Sequence, residues 1–591
     1  MARIDPHSYT DTAQGVIASV LMRLTVDFGA KSLSGEATLT FRQPVEGPLD
    51  LDTRDLRIDG ARTKNGEAVP FDLGERDPVL GSRLRLTLPS KTREVTISYA
   101  TSPTASALQW LEPAHTAGGK HPYLFSQCQP HHARSVVPLQ DSASVRFPYH
   151  AEITVPSALV AVMSAAPGEK RPGPRSGTAT YSFEMPQPIP SYLLALAVGD
   201  IASKDVGPRS RVYAEPATLE RAAWEFGEVD SMLRKAEALF GPYRWDRYDF
   251  LVMPPAFPYG GMENPRLTFL TPTLLAGDRS LVNVLAHELA HSWTGNLVTN
   301  ATMNDFWLNE GFTVWAERRI LETLAGQEAV ALGYALGRQE LQEEIERFGV
   351  TSPYTQLRTD LGGVDPDEVY SQVPYEKGCL FVTLLEQSVG RERFDRFITS
   401  YMDRFAFQSI TTEQFVTFLK EALPEVDGKV DLQRWIYAPG IPEDAPAFHA
   451  PQLDVLLRLA AGWARGERPN VEQARGWSID AWLVYLGALP KKIEHTDLRW
   501  LDEHFHMLAS GNAEILCKFL VLAASSAYEP AYAKLREFVG GVGRMKYLKP
   551  LYKALWASDA TRPLARKLFE AYADHYHPIA RAGLESIMKA S

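Results

Sequence analysis

The stretch LAHELAHSWTGN, residues 285–296, places two histidines four positions apart, with a glutamate directly after the first. On a helix this spacing puts His287 and His291 on one face, where both imidazoles can bind the same ion. Zinc prefers imidazole nitrogen and carboxylate oxygen, and catalytic zinc sites use three protein ligands with a fourth position open. The stretch therefore predicts one zinc ion (Zn2+) per chain, held by the two histidines and a third ligand further along.

Glu310, in the stretch FWLNEGFTVWAERR, is the candidate for the third ligand. The eighteen residues between it and His291 allow one helix to end near WTGN and a second to begin after Asn304 or Asp305. Glu317 follows seven positions later on the same helical face, where it can orient a ligand imidazole through a hydrogen bond. Two histidines at this spacing also occur as an ordinary solvated pair, but a suitably spaced glutamate favours the zinc site.

Glu288 is rotated by about 100° around the helix axis from His287, so it can face the open side of the metal without binding it. Zinc makes water more acidic, and a nearby carboxylate can accept the proton and pass it to a leaving amine. This combination is typical of peptide-bond hydrolysis. A protein that only binds zinc has no need of a glutamate at this position.

Composition limits the class of protein. The chain has 591 residues, enough for three or four domains, with 45% hydrophobic and 23% charged residues, as in a soluble globular protein. A net charge of −11 argues against a nucleic-acid partner and against a basic membrane-binding surface. The start lacks the features of a signal peptide, and no apolar run approaches the ~20 residues that span a bilayer. Three widely spaced cysteines predict reduced, buried thiols, and a cytoplasmic location is expected.

The patterning divides the chain into three parts and a linker, and predicts a multidomain α+β protein. Residues 1–200 alternate apolar and polar side chains, as in EVTISYAT, which predicts a mostly antiparallel β sandwich or saddle. Residues 201–442 are mainly helical and contain the zinc motif, so we assign them to the catalytic domain. The proline-rich segment 443–452 is interpreted as a linker. Residues 453–591 consist of short amphipathic helices, which predict a solenoid of the HEAT or armadillo type although no fixed repeat length is visible.

The stretch FPYGGMENPRLTF, residues 257–269, precedes the metal helix. Its paired glycines allow close backbone approach, and Glu263 is the lone acid beside them. A strand or loop of this kind can hold an extended peptide and bind its free α-amine. The same residues are equally consistent with an ordinary turn.

Together, the stretches YGGMENP, HELAHSWTGNLVTN and FWLNEG, in this order and spacing, resemble the zinc aminopeptidases of the gluzincin group. Within that group the chain is most similar to the leukotriene A-4 hydrolases. SALQWLEP, HPYLFSQCQP, DPDEVYSQVPYEKG and GRMKYLKPLYK extend the resemblance over most of the chain. The resemblance implies a thermolysin-like catalytic domain between the β domain and the helical domain.

The resemblance also implies roles for individual residues. His287, His291 and Glu310 would bind zinc, and Glu288 would be the general base. Tyr375 would donate its hydroxyl to the oxyanion of the tetrahedral intermediate. The resemblance further implies a set of substrate-binding residues: Gln129, Gly260, Gly261, Met262, Glu263, Asp367, Tyr370, Arg544 and Lys546.

Within that set, Glu263 and Gln129 would bind the free amine of the substrate. Arg544 and Lys546 would grip the carboxylate of a short peptide, so that opposite charges at the two ends of the cleft favour about three residues. Asp367 and Tyr370 would line the substrate pocket and the path of a lipid epoxide. An acid at Asp367 would suit a basic first side chain such as arginine.

Three functions remain open at this point. The first is a monomeric zinc aminopeptidase that trims short peptides. The second is mainly an epoxide hydrolase acting on a fatty-acid-derived epoxide, and the same residues can serve both activities. The third is a catalytically silent peptide-binding scaffold, against which the intact Glu288 and Tyr375 argue.

Overall fold

The computed structural model describes residues 5–448 and 451–589, and its first part is built from β strands. The strands of this part are β1 Ile17–Asp27, β2 Ser32–Thr53, β3 Arg57–Thr63, β4 Phe71–Leu73, β5 Ser82–Ala100, β6 Leu108–Leu111, β7 Tyr123–Ser126, β8 Arg146–Pro156, β9 Val160–Met163, β10 Ala166–Pro172, β11 Thr178–Pro190 and β12 Leu196–Gly199. An eight-stranded sheet has the order β10-β11-β8-β1-β2-β5-β3, with β4 paired to β5. A second sheet has the order β6-β7-β12-β9.

The alternating pattern explains why these strands form two-sided sheets. Along β1, Val20, Met22, Leu24 and Val26 are buried, while the side chains between them are more exposed. Every pairing in the two sheets is antiparallel except that of β1 with β8. The predicted, mostly antiparallel β domain is therefore confirmed.

The central part combines a small mixed sheet with helices. Its strands are β13 Ala202–Gly207, β14 Ser210–Ala214, β15 Phe250–Val252, β16 Gly261–Met262, β17 Thr268–Leu270, β18 Val298–Asn300 and β19 Gln408–Ile410. Five of them form a sheet of order β13-β14-β15-β17-β16, and β18 pairs with β19. Its helices are α1 Leu219–Glu225, α2 Val229–Phe240, α3 Val282–Ala290, α4 Trp307–Ala325, α5 Gln327–Phe348, α6 Gly378–Val389, α7 Arg391–Arg404, α8 Thr412–Ala422 and α9 Leu432–Tyr437.

The last part is entirely helical. Its helices are α10 Pro451–Gly462, α11 Val471–Arg475, α12 Ile479–Ala488, α13 His495–Phe505, α14 Ala513–Ser525, α15 Tyr532–Gly541, α16 Met545–Trp556, α17 Arg562–Tyr572 and α18 Pro578–Lys589. Helices α10, α12, α14, α16 and α18 each contact the next in this series, and α11 contacts α13 as α15 contacts α17. This two-layer stacking of helix pairs confirms the predicted solenoid.

The segment predicted as a linker, 443–452, has no helix or strand in its described residues up to 448, and α10 begins at Pro451. His449 and Ala450 lie outside the described residues. The helical part has its own hydrophobic core, whereas the β part and the central part share one. All three cysteines are buried and free, as expected. Among residues 5–448 and 451–589, no helix is both long enough and apolar enough to cross a membrane.

Candidate metal centre

Two helices bring the predicted zinc ligands together. His287 lies in the last turn of α3, His291 caps its C-terminal end, and Glu310 lies in the first turn of α4. The Nε2 atoms of the two histidines are 3.2 Å apart, and Glu310 Oε2 is 3.5 Å from His287 Nε2 and 3.6 Å from His291 Nε2. An ion at the centre of a triangle of this size lies about 2 Å from each corner, which is the length of zinc bonds to nitrogen and oxygen. The three residues therefore fit zinc.

The remaining ring nitrogens have partners that favour metal binding. His287 Nδ1 is 3.0 Å from Glu317 Oε2, and His291 Nδ1 is 3.1 Å from the carbonyl oxygen of Thr294. Because these oxygens are acceptors, both Nδ1 atoms carry the proton and both Nε2 atoms offer a lone pair. Gly295 has a φ of 116°, and a Cβ there would lie 2.8 Å from His291 Nδ1. The turn WTGN therefore needs glycine to stay close to the imidazole.

Glu288 lies beside the ligands without joining them. Its side chain is buried, and its Oε2 has no hydrogen-bond partner among the residues that the structure describes. Burial raises the pKa of Glu288 to about 8, although a divalent cation nearby would favour the ionised form again. A Cβ on Gly261 would lie 2.3 Å from Glu288 Oε1, so the strand β16 packs directly on this carboxylate. An unpaired carboxylate oxygen in this position can exchange a proton with a reacting group.

Glu263 forms the buried acidic end of the cleft. Gln129 Nε2 donates to Glu263 Oε1 at 3.4 Å, and Asn296 Nδ2 donates to the carbonyl oxygen of Glu263 at 2.6 Å. Side-chain oxygens of Glu263 and Glu288 and a ring nitrogen of His291 all lie within 4.8 Å of one another. Burial raises the pKa of Glu263 well above its usual value. A cationic amine beside it would stabilise the charged carboxylate.

Two tyrosines, Tyr370 and Tyr375, lie beside the metal ligand candidate His287. The hydroxyls of Tyr370 and Tyr375 are 2.6 Å apart, and the Tyr375 ring stacks on His287 with centroids 6.2 Å apart. Tyr375 belongs to a π-helical turn, Val373–Lys377, that precedes α6. Such turns are often found at functional sites because they displace a side chain from the regular helical path.

Arg544 enters the cleft from the helical domain. It precedes α16, and the neighbouring amides of Gly543 and Met545 donate to the carbonyl oxygens of Pro255 and Pro258 at 2.6 and 2.8 Å. These two hydrogen bonds tie the helical domain to the chain just before β16. A Cβ on Gly260 would lie 2.6 Å from Arg544 Nη2, so the guanidinium lies against this glycine.

Glu514 is a residue that the sequence analysis missed. It lies 3.2 Å from Arg544 Nη1 and 3.1 Å from Lys546 Nζ, and it accepts a hydrogen bond from the Tyr547 hydroxyl at 2.9 Å. The Lys546 side chain is about half exposed, whereas that of Arg544 is buried. Glu514 therefore holds both predicted carboxylate-binding cations. A glutamate in the first turn of an ordinary helix gives no sequence signal of this kind.

Two further predicted residues have partners within the protein. Asp367 Oδ2 lies 2.9 Å from His132 Nε2, so the acid expected to meet a basic substrate side chain is already paired. Met262 is buried, its sulfur accepts a hydrogen bond from Gln127 at 3.1 Å, and its backbone pairs with Phe269 of β17. His132 and Asn296 were also missed by the sequence analysis, since the Asp367–His132 contact spans 235 positions and a lone asparagine carries no spacing signal.

Comparisons with known proteins match all three parts of the chain. Family models match residues 5–193 as the peptidase M1 N-terminal domain, 224–435 as the peptidase family M1 domain, and 477–588 as the C-terminal domain of leukotriene A4 hydrolase.

Full-length relatives agree with these models. The chain is 40% identical over 597 residues to leukotriene A-4 hydrolase of Xenopus laevis, covering 97% of each chain. It is 38% identical to leucine aminopeptidase 2 of Yarrowia lipolytica, covering 98% of this chain and 92% of that one. Among solved structures, yeast LTA4 hydrolase in complex with bestatin superposes with a TM-score of 0.92 at 34% identity, covering 99% of this chain and 97% of that chain. The chain therefore belongs to peptidase family M1, as a zinc-dependent hydrolase with the three-domain fold of leukotriene A-4 hydrolase.

Proposed function

We propose that the protein is an aminopeptidase that releases the N-terminal residue of short peptides, above all tripeptides. The carrying observation is that Glu263 lies within 4.8 Å of both Glu288 and His291. In a peptide the amine nitrogen and the first carbonyl carbon are only about 2.5 Å apart. An amine held by Glu263 and Gln129 therefore places the first peptide bond, and no later one, beside Glu288 and the metal ligands.

Zinc held by His287, His291 and Glu310 would supply a Lewis acid that polarises the scissile carbonyl and acidifies water. Glu288 has an unpaired, buried carboxylate oxygen, so it would accept the proton of the attacking water and pass it to the departing amine. The intact Glu288 and its geometry argue against the catalytically silent scaffold.

Tyr375 would donate its hydroxyl hydrogen to the oxyanion. Its hydroxyl is 2.6 Å from that of Tyr370, which can accept or donate in turn and keeps the ring oriented. Burial raises the pKa of Tyr375 well above its usual value, so the hydroxyl keeps its hydrogen throughout the neutral range. A single oxyanion donor of this kind is typically worth about 10²–10³ in kcat.

Arg544 and Lys546 would limit the length of the substrate. Gly260 lies against the Arg544 guanidinium, and Gly261, the first residue of β16, lies against the Glu288 carboxylate, so the two charged groups contact neighbouring residues of the chain. A peptide lying along β16 with its amine at Glu263 would meet Arg544 after a few residues. Its C-terminal carboxylate would then pair with the guanidinium.

The preferred first residue is a separate part of the proposal. A basic side chain reaching Asp367 would have to displace His132 from its 2.9 Å contact, which weakens the arginyl preference expected from the sequence. Two relatives are named leucine aminopeptidase 2, and this name supports leucine, an apolar side chain, as the first residue. The rates of hydrolysis of Arg-Ala-Ala and Leu-Ala-Ala, measured in wild type and in Asp367→Asn, decide between a basic and an apolar first residue. A loss confined to the arginyl peptide would assign Asp367 to the basic side chain.

The activity itself is tested with Arg-Ala-Ala against its N-acetylated form, with and without a chelator. Cleavage of only the free-amine peptide, lost on chelation and restored by zinc, is expected. Equal cleavage of both peptides would make the protein an endopeptidase and remove Glu263 from the role of amine anchor. The Glu288→Gln variant should keep its zinc and lose turnover, and more than a few per cent of residual activity would remove Glu288 from the role of base.

A second activity, hydrolysis of a fatty-acid-derived epoxide, is favoured by one observation. An apolar cavity adjoins Tyr370, lined by residues that include Met303, Phe306, Leu361 and Val369. The frog relative is named leukotriene A-4 hydrolase, so leukotriene A-4 is the substrate to assay. Loss of epoxide turnover in Asp367→Asn, with peptide cleavage retained, would support this second activity.

The cytoplasmic location and the monomeric state stay part of the proposal. Fractionation of the source cells and light scattering of the purified protein would test them.

A further inference from the structure

A second cluster of side chains that can bind a metal lies near Gln129, one of the two residues proposed to bind the amine. Asp5, His7 and His131 are 2%, 1% and 7% exposed, and one donor atom of each lies within 4.8 Å of the others. Asp5 Oδ1 is 3.7 Å from His7 Nδ1, and Asp5 Oδ2 is 3.6 Å from His131 Nε2. These distances are too long for hydrogen bonds. They match the 3.5 and 3.6 Å that separate Glu310 from its two histidines in the catalytic site.

The second nitrogen of His7 shows which form the ring adopts. His7 Nε2 lies 2.9 Å from the carbonyl oxygens of both Leu361 and Val364. Carbonyl oxygens only accept, so Nε2 carries a proton, and Nδ1 is the ring nitrogen that faces Asp5. Metal-ligating histidines typically have this arrangement, with the far nitrogen bound to a carbonyl.

His131 adds an unsatisfied imidazole to the cluster. Neither of its ring nitrogens, nor His7 Nδ1, has a hydrogen-bond partner within the described part of the chain. A buried polar group left without a partner costs about 1–3 kcal/mol, so two such nitrogens on one ring need a ligand. His131 also lines a small cavity together with Asp5, Gln129, Tyr192 and Asn300, which gives room for a further ligand such as water.

The buried cation near the cluster is paired with other carboxylates, so Asp5 is available to bind an ion. The nearest buried cation, Arg134, is paired with Asp141 at 2.8 Å and lies 3.9 Å from Asp52. Two carboxylates therefore offset the single guanidinium. Asp5 accepts hydrogen bonds from the His7 amide at 2.9 Å and from the Ser142 hydroxyl at 2.7 Å, and each of its oxygens keeps a further lone pair for an ion.

We propose that Asp5, His7 and His131 form a second metal site that binds a divalent first-row transition ion, with Zn2+ as the ion that best matches two imidazoles and a carboxylate. The ion would join the N-terminal segment, through Asp5 and His7, to the segment that contains His131. It would also brace the segment that carries Gln129, two positions before His131. The site is distinct from the catalytic zinc, and the proposal does not depend on the peptidase activity.

The test is a zinc count on the full chain. Metal-depleted protein is equilibrated at a buffered free zinc concentration, desalted, and analysed for zinc per chain by mass spectrometry. We expect two zinc ions in wild type, one in His131→Gln, one in His291→Gln, and none in the double variant. His150→Gln, which changes an exposed histidine on β8, is the matched control and should keep two.

Each outcome bears on the second site separately from the catalytic one. A single zinc in wild type that is lost in His291→Gln would overturn the proposal and leave the Asp5 cluster as a metal-free ion pair. Two zinc ions in wild type with no loss in His131→Gln would place the second ion elsewhere and also overturn it. If His131→Gln does not fold, Co2+ binding to His291→Gln decides, because a visible ligand-field spectrum and a rise in its unfolding temperature require a site outside the catalytic one.

Discussion

The hydrogen bond between Glu317 and His287 gives the sharpest test of how the catalytic site holds its metal. Glu317 Oε2 lies 3.0 Å from His287 Nδ1, and both side chains are 17% exposed. A hydrogen bond to a charged group is worth about 1.5–3 kcal/mol, and partial exposure favours the lower end because water can replace the carboxylate. Since 1.4 kcal/mol is about tenfold in affinity, Glu317→Ala should raise the zinc Kd by about 10–100-fold.

A graded series sharpens this expectation. Glu317→Gln keeps an acceptor without the charge, so its zinc Kd should lie between those of wild type and Glu317→Ala. Competition with a fluorescent chelator measures all three values. Glu322→Gln is the control, because Glu322 lies five positions further along α4 and pairs with Arg391 instead of a histidine. At saturating zinc Glu317→Ala should regain most of its kcat. An unchanged zinc Kd in Glu317→Ala would refute the orienting role of this carboxylate.

Three further predictions concern the proposed oxyanion donor and the carboxylate-binding end of the cleft. Tyr375→Phe should lower kcat by about 10²–10³ with little change in KM, because the hydroxyl acts mainly on the oxyanion. A rise in KM as large as the fall in kcat would show that the hydroxyl binds substrate instead. Arg544→Gln should raise KM at least tenfold for a tripeptide with a free carboxylate but not for its C-terminal amide, and a parallel loss for both substrates would contradict the length limit. Burial raises the pKa of Glu514, but the nearby Lys546 and Arg544 outweigh it and lower this pKa from 4.5 to about 2. Because the folded pKa is the lower one, the stabilisation is complete above pH 4.5 and is lost as the pH falls towards 2. As the pH falls across this range, the unfolding temperature of wild type should therefore drop more than that of Glu514→Gln. Equal drops in the two proteins would exclude the effect.

The residues proposed to bind zinc could be predicted from the sequence because their geometry is local. His287 and His291 share one helical face, and Glu310 follows on the next helix with only a short connection between them. The β domain and the helical solenoid were predictable for the same reason, since period-two and helical patterns reflect burial by neighbouring elements. Strand β16, with two residues, is too short to show any period, so only the paired glycines Gly260 and Gly261 indicated it.

The residues proposed to bind substrate could not be identified from spacing because their partners are distant along the chain. Arg544 is held beside Gly260 because the amides of its neighbours Gly543 and Met545 donate to Pro255 and Pro258, almost three hundred positions earlier. Only the family resemblance predicted this position. Glu514 and His132 went unnoticed because nothing about a single glutamate or histidine shows which cation or acid it will face. The pairing of His132 with Asp367 also changes a chemical expectation, since a paired acid is a weaker partner for a substrate arginine.

Two glycines in the motifs explain how Tyr375 keeps its position relative to the metal. Helices α4 and α6 cross where a Cβ on Gly311 would lie 2.7 Å from the Cα of Gly378, and the same distance separates a Cβ on Gly378 from the Cα of Gly311. Gly311 directly follows Glu310, and Gly378 follows the π-helical turn that carries Tyr375. Backbone against backbone is a contact that side-chain rotation cannot relax. Any larger residue at either position would therefore separate Glu310, the proposed metal ligand, from Tyr375, the proposed oxyanion donor. On this proposal, NEG and YEKG need glycine for catalysis as well as for packing.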